Sequence, residues 1–328
     1  MNISVAIISY NSEKFLHNNI RSLLEQSIPF KHIVIIDNFS SDNSRNIIES
    51  YQNSIEPILP DKNTGYAAAA NTAIRHILTD REAELIMVAN SDIILDNNFN
   101  KNVIEKFEKE QDIGMMSPLI LRFDKKTVDS AGQMCSRTLH PVEIGFNHSL
   151  EKVDITEKPV FSVCGAATIF TRKTLDILNM EGEYYDEDFF MFWEDFDIGW
   201  RANHLNIKTI FFPKAIVYHF RSGTMKKNFF SRFSLALARP PLIKYHLIKN
   251  RYLTIIKNFR LRQHVKFLPY AILKDFIWVS LLTLSSPKII IPLMHSGKHI
   301  KHALKKRKLL AEHIKSINTP SAGNPGTL

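Results

Sequence analysis

The stretch "ISVAIISYNSEKFLHNNIRSLLEQSIPFKHIVIIDN", Ile3 to Asn38, decides the fold. It opens on an unbroken apolar run, passes through a helix-period segment from Glu13 to Gln26, and returns to a second apolar run, "HIVIID". Short continuous apolar runs of this kind are strands buried on both faces, and the intervening amphipathic segment is the helix that covers them. The rhythm continues through Asp42 to Tyr51, Tyr66 to Leu78 and "LIMVAN" at Leu85–Asn90. It predicts an α/β fold with helices flanking a largely parallel sheet. Ligands of such sheets bind beyond the carboxyl ends of the strands, so the residues following each apolar run become candidates: Tyr10 and Asn11, Asp37 and Asn38, and Asn90, Ser91 and Asp92.

A less regular block follows. Strands are expected at Ile113–Leu121, Val160–Phe170 and Ile207–Val217, with a helix from Glu194 to His204. Beyond Gly223 the composition changes: from Arg221 onward there are 21 Lys+Arg against 2 Asp+Glu, a net of +19. Residues 1–220 hold the other 21 Lys+Arg and 31 Asp+Glu, a net of −10. An acidic body with a basic end implies that the end meets an anionic surface, phospholipid or nucleic acid. Tyr245, Ile248, Tyr252, Ile256 and Phe259 form a helical stripe there. The expected division is a catalytic domain over 1–225, a basic helical region over 226–318 and a disordered tail over 319–328.

The start of the chain lacks the basic segment and long apolar run of a secretion signal, which leads to the expectation of a cytoplasmic protein. Cys135 and Cys164 form no disulfide framework or metal-ligand spacing and are expected to be reduced thiols. The longest clean apolar run near the end, Phe276 to Ser286, spans 11 residues. That is short of the roughly 20 a bilayer-spanning helix requires, so the region is expected to lie in the membrane interface. Lys298, Lys301, Lys305, Lys306, Arg307 and Lys308 follow it, each able to contribute about 1 kcal/mol against an anionic leaflet. His295, His299 and His302 read as surface residues of the same helix.

The densest chemistry lies in "DEDFFMFWEDFDIGWR", Asp186 to Arg201, where six carboxylates alternate with bulky aromatics and no cation appears before Arg201. A helix beginning at Glu194 explains part of the acidity, since its N-terminus stabilises each carboxylate by roughly 0.3–1 kcal/mol. The aromatics suit the apolar faces of sugar rings, and a partly desolvated carboxylate among them becomes a better proton acceptor. Phe196 and Trp200 are expected in the core. Arg201 either pairs with Asp197 or reaches a phosphate.

These motifs in this order, "IIDNFSSDNS", "VANSDIIL" and "GAATIFTRKTLDIL" through "YYDEDFFMFWEDFDIGWRANHLNIKTIFFPKAIVYHFRSGT", resemble a family 2 glycosyltransferase of the GT-A fold. Over residues 3 to 225 the chain is similar to the rhamnosyltransferase-like branch of bacterial surface polysaccharide synthesis. The resemblance implies a Rossmann-like mixed sheet with an added helical end, and an inverting transfer of a sugar from a nucleoside diphosphate to a hydroxyl of a lipid-linked saccharide, as in O-antigen, capsule or cell-wall synthesis. It leans toward deoxythymidine diphosphate rhamnose as donor.

The resemblance also implies roles. Tyr10, Asn11, Asp37 and Asn38 would hold the nucleoside. In "NTGYAAAAN", Gly65 and Asn71 would serve the donor, with a helix opening near Tyr66 that aims free N–H groups at its phosphates. Asn90, Ser91 and Asp92 occupy the position of the D-x-D motif, with Asn90 in place of its first aspartate. Asp92 and His219 would hold a divalent cation, Mg²⁺ or Mn²⁺. Asp195 would be the general base with Glu194 supporting it, and Trp193 and Arg201 would contact the acceptor. An anionic inner membrane surface would be the docking partner, and no nucleic acid.

Two other readings compete. A nucleotidyltransferase would need phosphate-clamping cations in the first loop, where "SYNSEKF" offers Lys14 alone. A non-catalytic binding protein for membranes or nucleic acid accounts for the basic end and leaves the acidic aromatic stretch unexplained.

Overall fold

The computed structural model describes residues 1–221 and 237–318. Its elements run β1 (Ile3–Ser9), α1 (Glu13–Leu24), β2 (Ile33–Asp37), α2 (Ser44–Ser50), β3 (Glu56–Ile58), α3 (Tyr66–Leu78), β4 (Leu85–Asn90) and β5 (Ile93–Leu95). They continue as α4 (Phe99–Lys109), β6 (Ile113–Arg122), β7 (Val128–Ser130), β8 (Gln133–Cys135), β9 (Pro141–Glu143), β10 (Lys158–Pro159), β11 (Ala167–Thr171), α5 (Arg172–Leu178), α6 (Glu194–His204) and β12 (Lys208–His219). Three long helices close the chain: α7 (Pro241–Asn258), α8 (Leu268–Ser285) and α9 (Gly297–Asn318).

One mixed sheet of ten strands organises the molecule, with the path β10-β12-β6-β11-β4-β1-β2-β3, β5 added on β12 and β7 on β6. β4, β1, β2 and β3 are parallel, and β11 runs antiparallel between β4 and β6. Every residue of β1 and β2 is buried, as two-sided coverage requires. On one face α1 contributes Leu16, Ile20 and Leu23, one helical stripe, to a core shared with α4. On the other, the alanines of α3 let that helix settle against Val34, Ile36 and Val88.

The expected α/β fold with a helical end is therefore the observed one. Of the expected strand Val160–Phe170 only Ala167–Phe170 is strand, within β11; β10 ends at Pro159, and 160–166 is a loop whose Ser162 and Gly165 bond Asp195. The boundary expected at 225 and the tail 319–328 lie outside the described residues. Both cysteines are free.

The basic end is not an appendage set apart from the body. Leu253 and Ala303 enclose Phe189, Ala271 packs with Trp193, Phe196 and Trp200, and Leu310 joins the core beneath α3. The stripe expected on α7 is only partly the buried one: Ile248 is buried, but Tyr252 is exposed, and Lys249, Asn250, Arg251 and Lys257 face inward with it. Leu261–Ser285 forms a helical stretch of 25 residues, long and apolar enough by length and composition to cross a membrane, which the 11-residue reading had not anticipated. Its Asp275 pairs with Arg251, and Ala271 and Leu282 are buried against the body, so one side of α8 is committed to packing. The opposite side exposes Ile272, Leu273, Phe276, Ile277 and Leu284.

Candidate active site

The carboxyl ends of β1, β2 and β4 open into a cleft of about 300 Å³. Tyr10, Asn11, Asn38, Gly65, Asn90, Ser91 and Asp92 line it, seven of the residues the sequence singled out. Ser12, Phe15, Asn63, Tyr66, Phe190 and Met191 complete the wall. The loops after the strands are tied to one another by short polar side chains: Ser12 Oγ lies 2.7 Å from Ser91 Oγ, and Asn11 Oδ1 accepts from the Ser41 N–H at 2.8 Å. Asn38 Oδ1 accepts from the Thr64 N–H at 2.9 Å while its amide donates to Asn63 at 3.1 Å. Asp37 sits just under this rim, 1% exposed; one oxygen accepts from the Ser40 N–H and Oδ1 has no partner among the described residues.

Gly65 lines the cleft as expected, and Asn71 does not. Gly65 holds φ +81°, and a Cβ there would stand 2.5 Å from the Phe190 ring and 2.6 Å from the Phe190 carbonyl oxygen. Its missing side chain admits Phe190 as well as opening the cleft. The Tyr66 N–H donates to that same carbonyl at 2.6 Å, so the first N–H of α3 is not free for an anion. Asn71 does not line the cleft: fully buried, it accepts from the Tyr184 and Tyr185 N–H groups and donates to the Tyr185 carbonyl. Its role is to hold the start of the acidic segment.

Asp92 faces the cleft with the His219 Nε2 3.2 Å from its Oδ1. His219 Nδ1 donates to Asp129 Oδ2 at 2.8 Å, and Arg221 donates to the other Asp129 oxygen. Burial alone would lower the His219 pKa, but the two carboxylates raise it to about 9. A cation would displace that proton. Among the described residues no three His, Cys, Asp or Glu side chains converge as a complete metal site. One carboxylate and one imidazole, the latter braced by a second carboxylate, nevertheless form the partial set that a divalent ion completes with phosphate oxygens and water.

Asp195 opens α6 half-buried. Its Oδ2 accepts from the Gln133 amide at 2.8 Å and the Gly165 N–H at 2.9 Å, and its Oδ1 from the Phe196 N–H at 2.8 Å. Burial raises its pKa, while these three donors oppose the rise. Glu194 beside it is 7% exposed, and its Oε2 has no partner among the described residues. Burial and the neighbouring Asp195 push Glu194 up to about 8. Both carboxyls are raised; the three donors on Asp195 favour the negative charge there over Glu194. Gly165, which anchors Asp195, also receives the Tyr66 hydroxyl on its carbonyl at 3.0 Å, and the next residue, Ala166, accepts the Asn90 N–H at 3.1 Å. Asp195 is therefore fastened to the backbone that pairs with the Asn90–Asp92 turn.

Trp193 and Arg201, expected at the acceptor, are buried among protein partners. Trp193 is 7% exposed, edge-on to His140 and Phe196, with Arg251 over its ring. Arg201 is 1% exposed and bonds Asp197 at 3.0 Å and the carbonyls of Leu178 and Tyr184, which resolves the open alternative in favour of the ion pair. Phe196 and Trp200 are in the core, as expected.

Counter-charges for the rest of the acidic segment come from the basic end. Lys257 pairs with Asp186 and, at 2.9 Å, with Asp197; Lys306 bonds Asp186 at 2.6 Å and Glu183 at 2.7 Å. His299 and His302 both place Nδ1 on Asp188, at 2.7 and 3.2 Å, so they are not idle surface residues. Asn250 donates through one amide nitrogen to the carbonyls of Phe189, Met191 and Phe192. Those carbonyls belong to a turn in which Phe190, Phe192 and Trp193 all have positive φ. The sequence reading missed Asp129, Gln133 and Asn250 altogether, and Glu143, whose Oε1 accepts from the Gln133 amide at 2.9 Å.

The model of glycosyl transferase family 2 matches residues 4–176, just over half of the chain. The chain belongs to glycosyl transferase family 2. This family 2 chain is 23% identical over 218 residues to the poly-beta-1,6-N-acetyl-D-glucosamine synthase of Staphylococcus epidermidis, covering 66% of the chain and 49% of that protein. It is 25% identical over 210 residues to the low-salt glycan biosynthesis hexosyltransferase Agl10 of Haloferax volcanii, covering 62% of each. The chain spans about half the length of the curated relatives it matches. Among solved structures, the mannosyltransferase PcManGT of Pyrobaculum calidifontis, in complex with GDP-Man and Mn²⁺, superposes with a TM-score of 0.54 at 13% identity, over 98% of this chain and 88% of that one. The sheet and its flanking helices are those of the GT-A glycosyltransferase fold.

Proposed function

We propose that this family 2 chain transfers a sugar from a nucleoside diphosphate to a hydroxyl of a saccharide acceptor, with inversion at the anomeric carbon. The observation that carries this reading is the fastening of Asp195, through Gly165 and Ala166, to the strand that ends at Asn90. A proton acceptor and a diphosphate-facing carboxylate, Asp92, thereby belong to one end of one sheet. Asp195 takes the acceptor proton; the three N–H donors hold its carboxylate in one orientation, and protonated Glu194 adds no second charge beside it. The hydroxyl oxygen attacks the anomeric carbon as the bond to the diphosphate breaks, without a covalent enzyme intermediate. Asp37, just beneath the cleft and with Oδ1 unpartnered among the described residues, would accept the ring N–H of a nucleobase, with Tyr10 and Asn38 of the cleft wall beside the base. Asp92 and His219 would hold a divalent cation, Mg²⁺ or Mn²⁺, which when bound supplies positive charge to the departing diphosphate.

Asp195→Asn tests the assignment. Turnover is expected to fall by roughly 10² to 10⁴ with donor affinity little changed. A variant turning over at the wild-type rate removes Asp195 from the reaction.

The finer reading is deoxythymidine diphosphate rhamnose as donor and a lipid-linked saccharide in surface polysaccharide synthesis as acceptor. It is supported by the resemblance of the Gly165–Thr224 motifs to the rhamnosyltransferase-like branch and by relatives named for polysaccharide and glycan synthesis. A panel of nucleotide sugars scored by Mn²⁺-dependent donor hydrolysis checks it; preference for a UDP or GDP sugar rejects rhamnose.

We also place the enzyme at the inner membrane face. The exposed side of α8 would enter the lipid interface while Asp275 and Leu282 stay on the body, and Lys298, Lys301 and Lys308 would face the head groups. Lys306 is buried on Asp186 and takes no part. Failure of the chain to sediment with anionic liposomes at low salt would refute the placement.

A further inference from the structure

A second cleft, of about 850 Å³, lies between the C-terminal end of α6, the first turns of the helical stretch that begins at Leu261, and α9. Four cations line it: Arg260, Arg262, Lys266 and Arg307. Elsewhere Lys257, Lys306, Arg201 and Arg251, all buried, each hold a carboxylate, while buried Lys244 and Lys249 are satisfied by the Ser285 and Ser286 hydroxyls and the Asp188 carbonyl. Here, among the described residues, no carboxylate pairs with any of the four, and no acidic side chain lines the cleft. Burial, and after it the nearby Arg307, both act against the charge on Arg260. Arg260 Nη2 is buried without a hydrogen-bond partner. A cluster of like charges around an unfilled donor is stable when an anion sits among them, and guanidinium forks match phosphate oxygens in particular.

The aromatic wall supplied by Phe161, Trp200 and Phe267 and the exposed Leu261 make the site amphiphilic, at the foot of the apolar helix α8. We infer that this cleft is a binding site for a phosphate or diphosphate group, separate from the donor cleft and independent of the transfer reaction proposed above. The group is either the head of an amphiphile whose chain continues onto α8, or a free phosphate.

The test is isothermal titration of the full chain with inorganic diphosphate and with farnesyl diphosphate, in EDTA throughout so that no metal bridges ligand to Asp92. Saturable binding is expected, weakened at least tenfold in the exposed double variant Arg262→Gln/Lys266→Gln and in Arg260→Gln/Arg307→Gln, and unchanged in Asp92→Asn. Arg262 and Lys266 are exposed, so their replacement leaves the fold intact and keeps the test decisive should the second pair fail to fold. Tighter binding of farnesyl diphosphate by tenfold or more identifies an amphiphile's head group; equal binding identifies a free phosphate. No saturable binding, equal affinity in Arg262→Gln/Lys266→Gln and wild type, or loss of binding in Asp92→Asn would each overturn the inference. Because none of these readouts involves sugar transfer, its failure is separable from failure of the catalytic reading.

Discussion

Replacing Asn250 by Ala should loosen the wall of the donor cleft and the start of α6 together. The Asn250 amide nitrogen has two hydrogens and faces three carbonyls, those of Phe189 and Phe192 at 2.9 Å and that of Met191 at 2.6 Å. Two hydrogen bonds at a time are therefore lost, and each carbonyl left buried without a donor costs about 1–3 kcal/mol. The turn they restrain contains three non-glycine residues at φ 64°, 66° and 74°, each storing on the order of 1–3 kcal/mol that the native contacts must offset. A loss of roughly 2–5 kcal/mol follows, a large part of the 5–15 kcal/mol typical of a folded domain. The melting temperature should fall by about 4–20 °C at the roughly 2–4 °C per kcal/mol expected for chains of 150–250 residues. Turnover should fall at temperatures where the variant is still folded, because Phe190 and Met191 line the cleft and Glu194 and Asp195 follow directly. Asn250→Asp separates shape from donation: it has the same outline but an ionised carboxylate has no hydrogen to give, so it should be at least as damaging as Ala. Differential scanning calorimetry with donor-turnover kinetics checks both. An Asn250→Ala protein melting within 2 °C of wild type with unchanged turnover would refute the reasoning.

Gly65→Ala should raise the donor KM tenfold or more, because the added methyl meets Phe190 at 2.5 Å in a backbone conformation that disfavours side chains; an unaltered KM in steady-state kinetics would contradict the packing described. Glu194 gives a signed pH dependence. Its folded pKa of about 8 lies above the unfolded value near 4.3, so the native state binds the extra proton between those limits and stability should decline as pH rises through that window. Glu194→Gln should flatten that part of the profile, and chemical denaturation between pH 5 and 8 that shows parallel profiles would reject the assignment. Lys257→Met should destabilise by about 3–5 kcal/mol, since it leaves the carboxylates of Asp186 and Asp197 short of a partner in the interior. A urea midpoint unmoved by the substitution would argue against that interior pairing.

What the sequence disclosed follows from how local each signal is. The strand-helix rhythm from Ile3 to Asn90 was readable because burial on both faces makes a strand apolar throughout, and the loops after those strands do line the cleft. The start of α6 at Glu194 was visible in its first-turn acids. The i,i+4 spacing of Asp197 and Arg201 contained the ion pair, but only their burial decided against a phosphate. Trp193 looked available to a sugar because nothing local reveals that His140 and Arg251 close over it. The same blindness hid the partners of the acidic segment. Lys257 and Lys306 reach Asp186 across 71 and 120 residues, and no periodicity records such a separation. Asp129, Gln133 and Glu143 lie on three-residue strands too short to carry a pattern.

The span of 120 residues between Asp186 and Lys306 sets an order of events at the ribosome. The sheet through β12 is synthesised first and is free to begin folding, as N-terminal units generally do. Its most acidic turn must then wait with its charges hydrated and its aromatic neighbours uncovered. Only when α9 leaves the exit tunnel does Lys306 arrive to draw that turn shut. A nascent chain stalled before residue 306 would therefore have the nucleotide end of its architecture assembled and the opposing wall still open, and a chaperone binding exposed aromatics would find its target there.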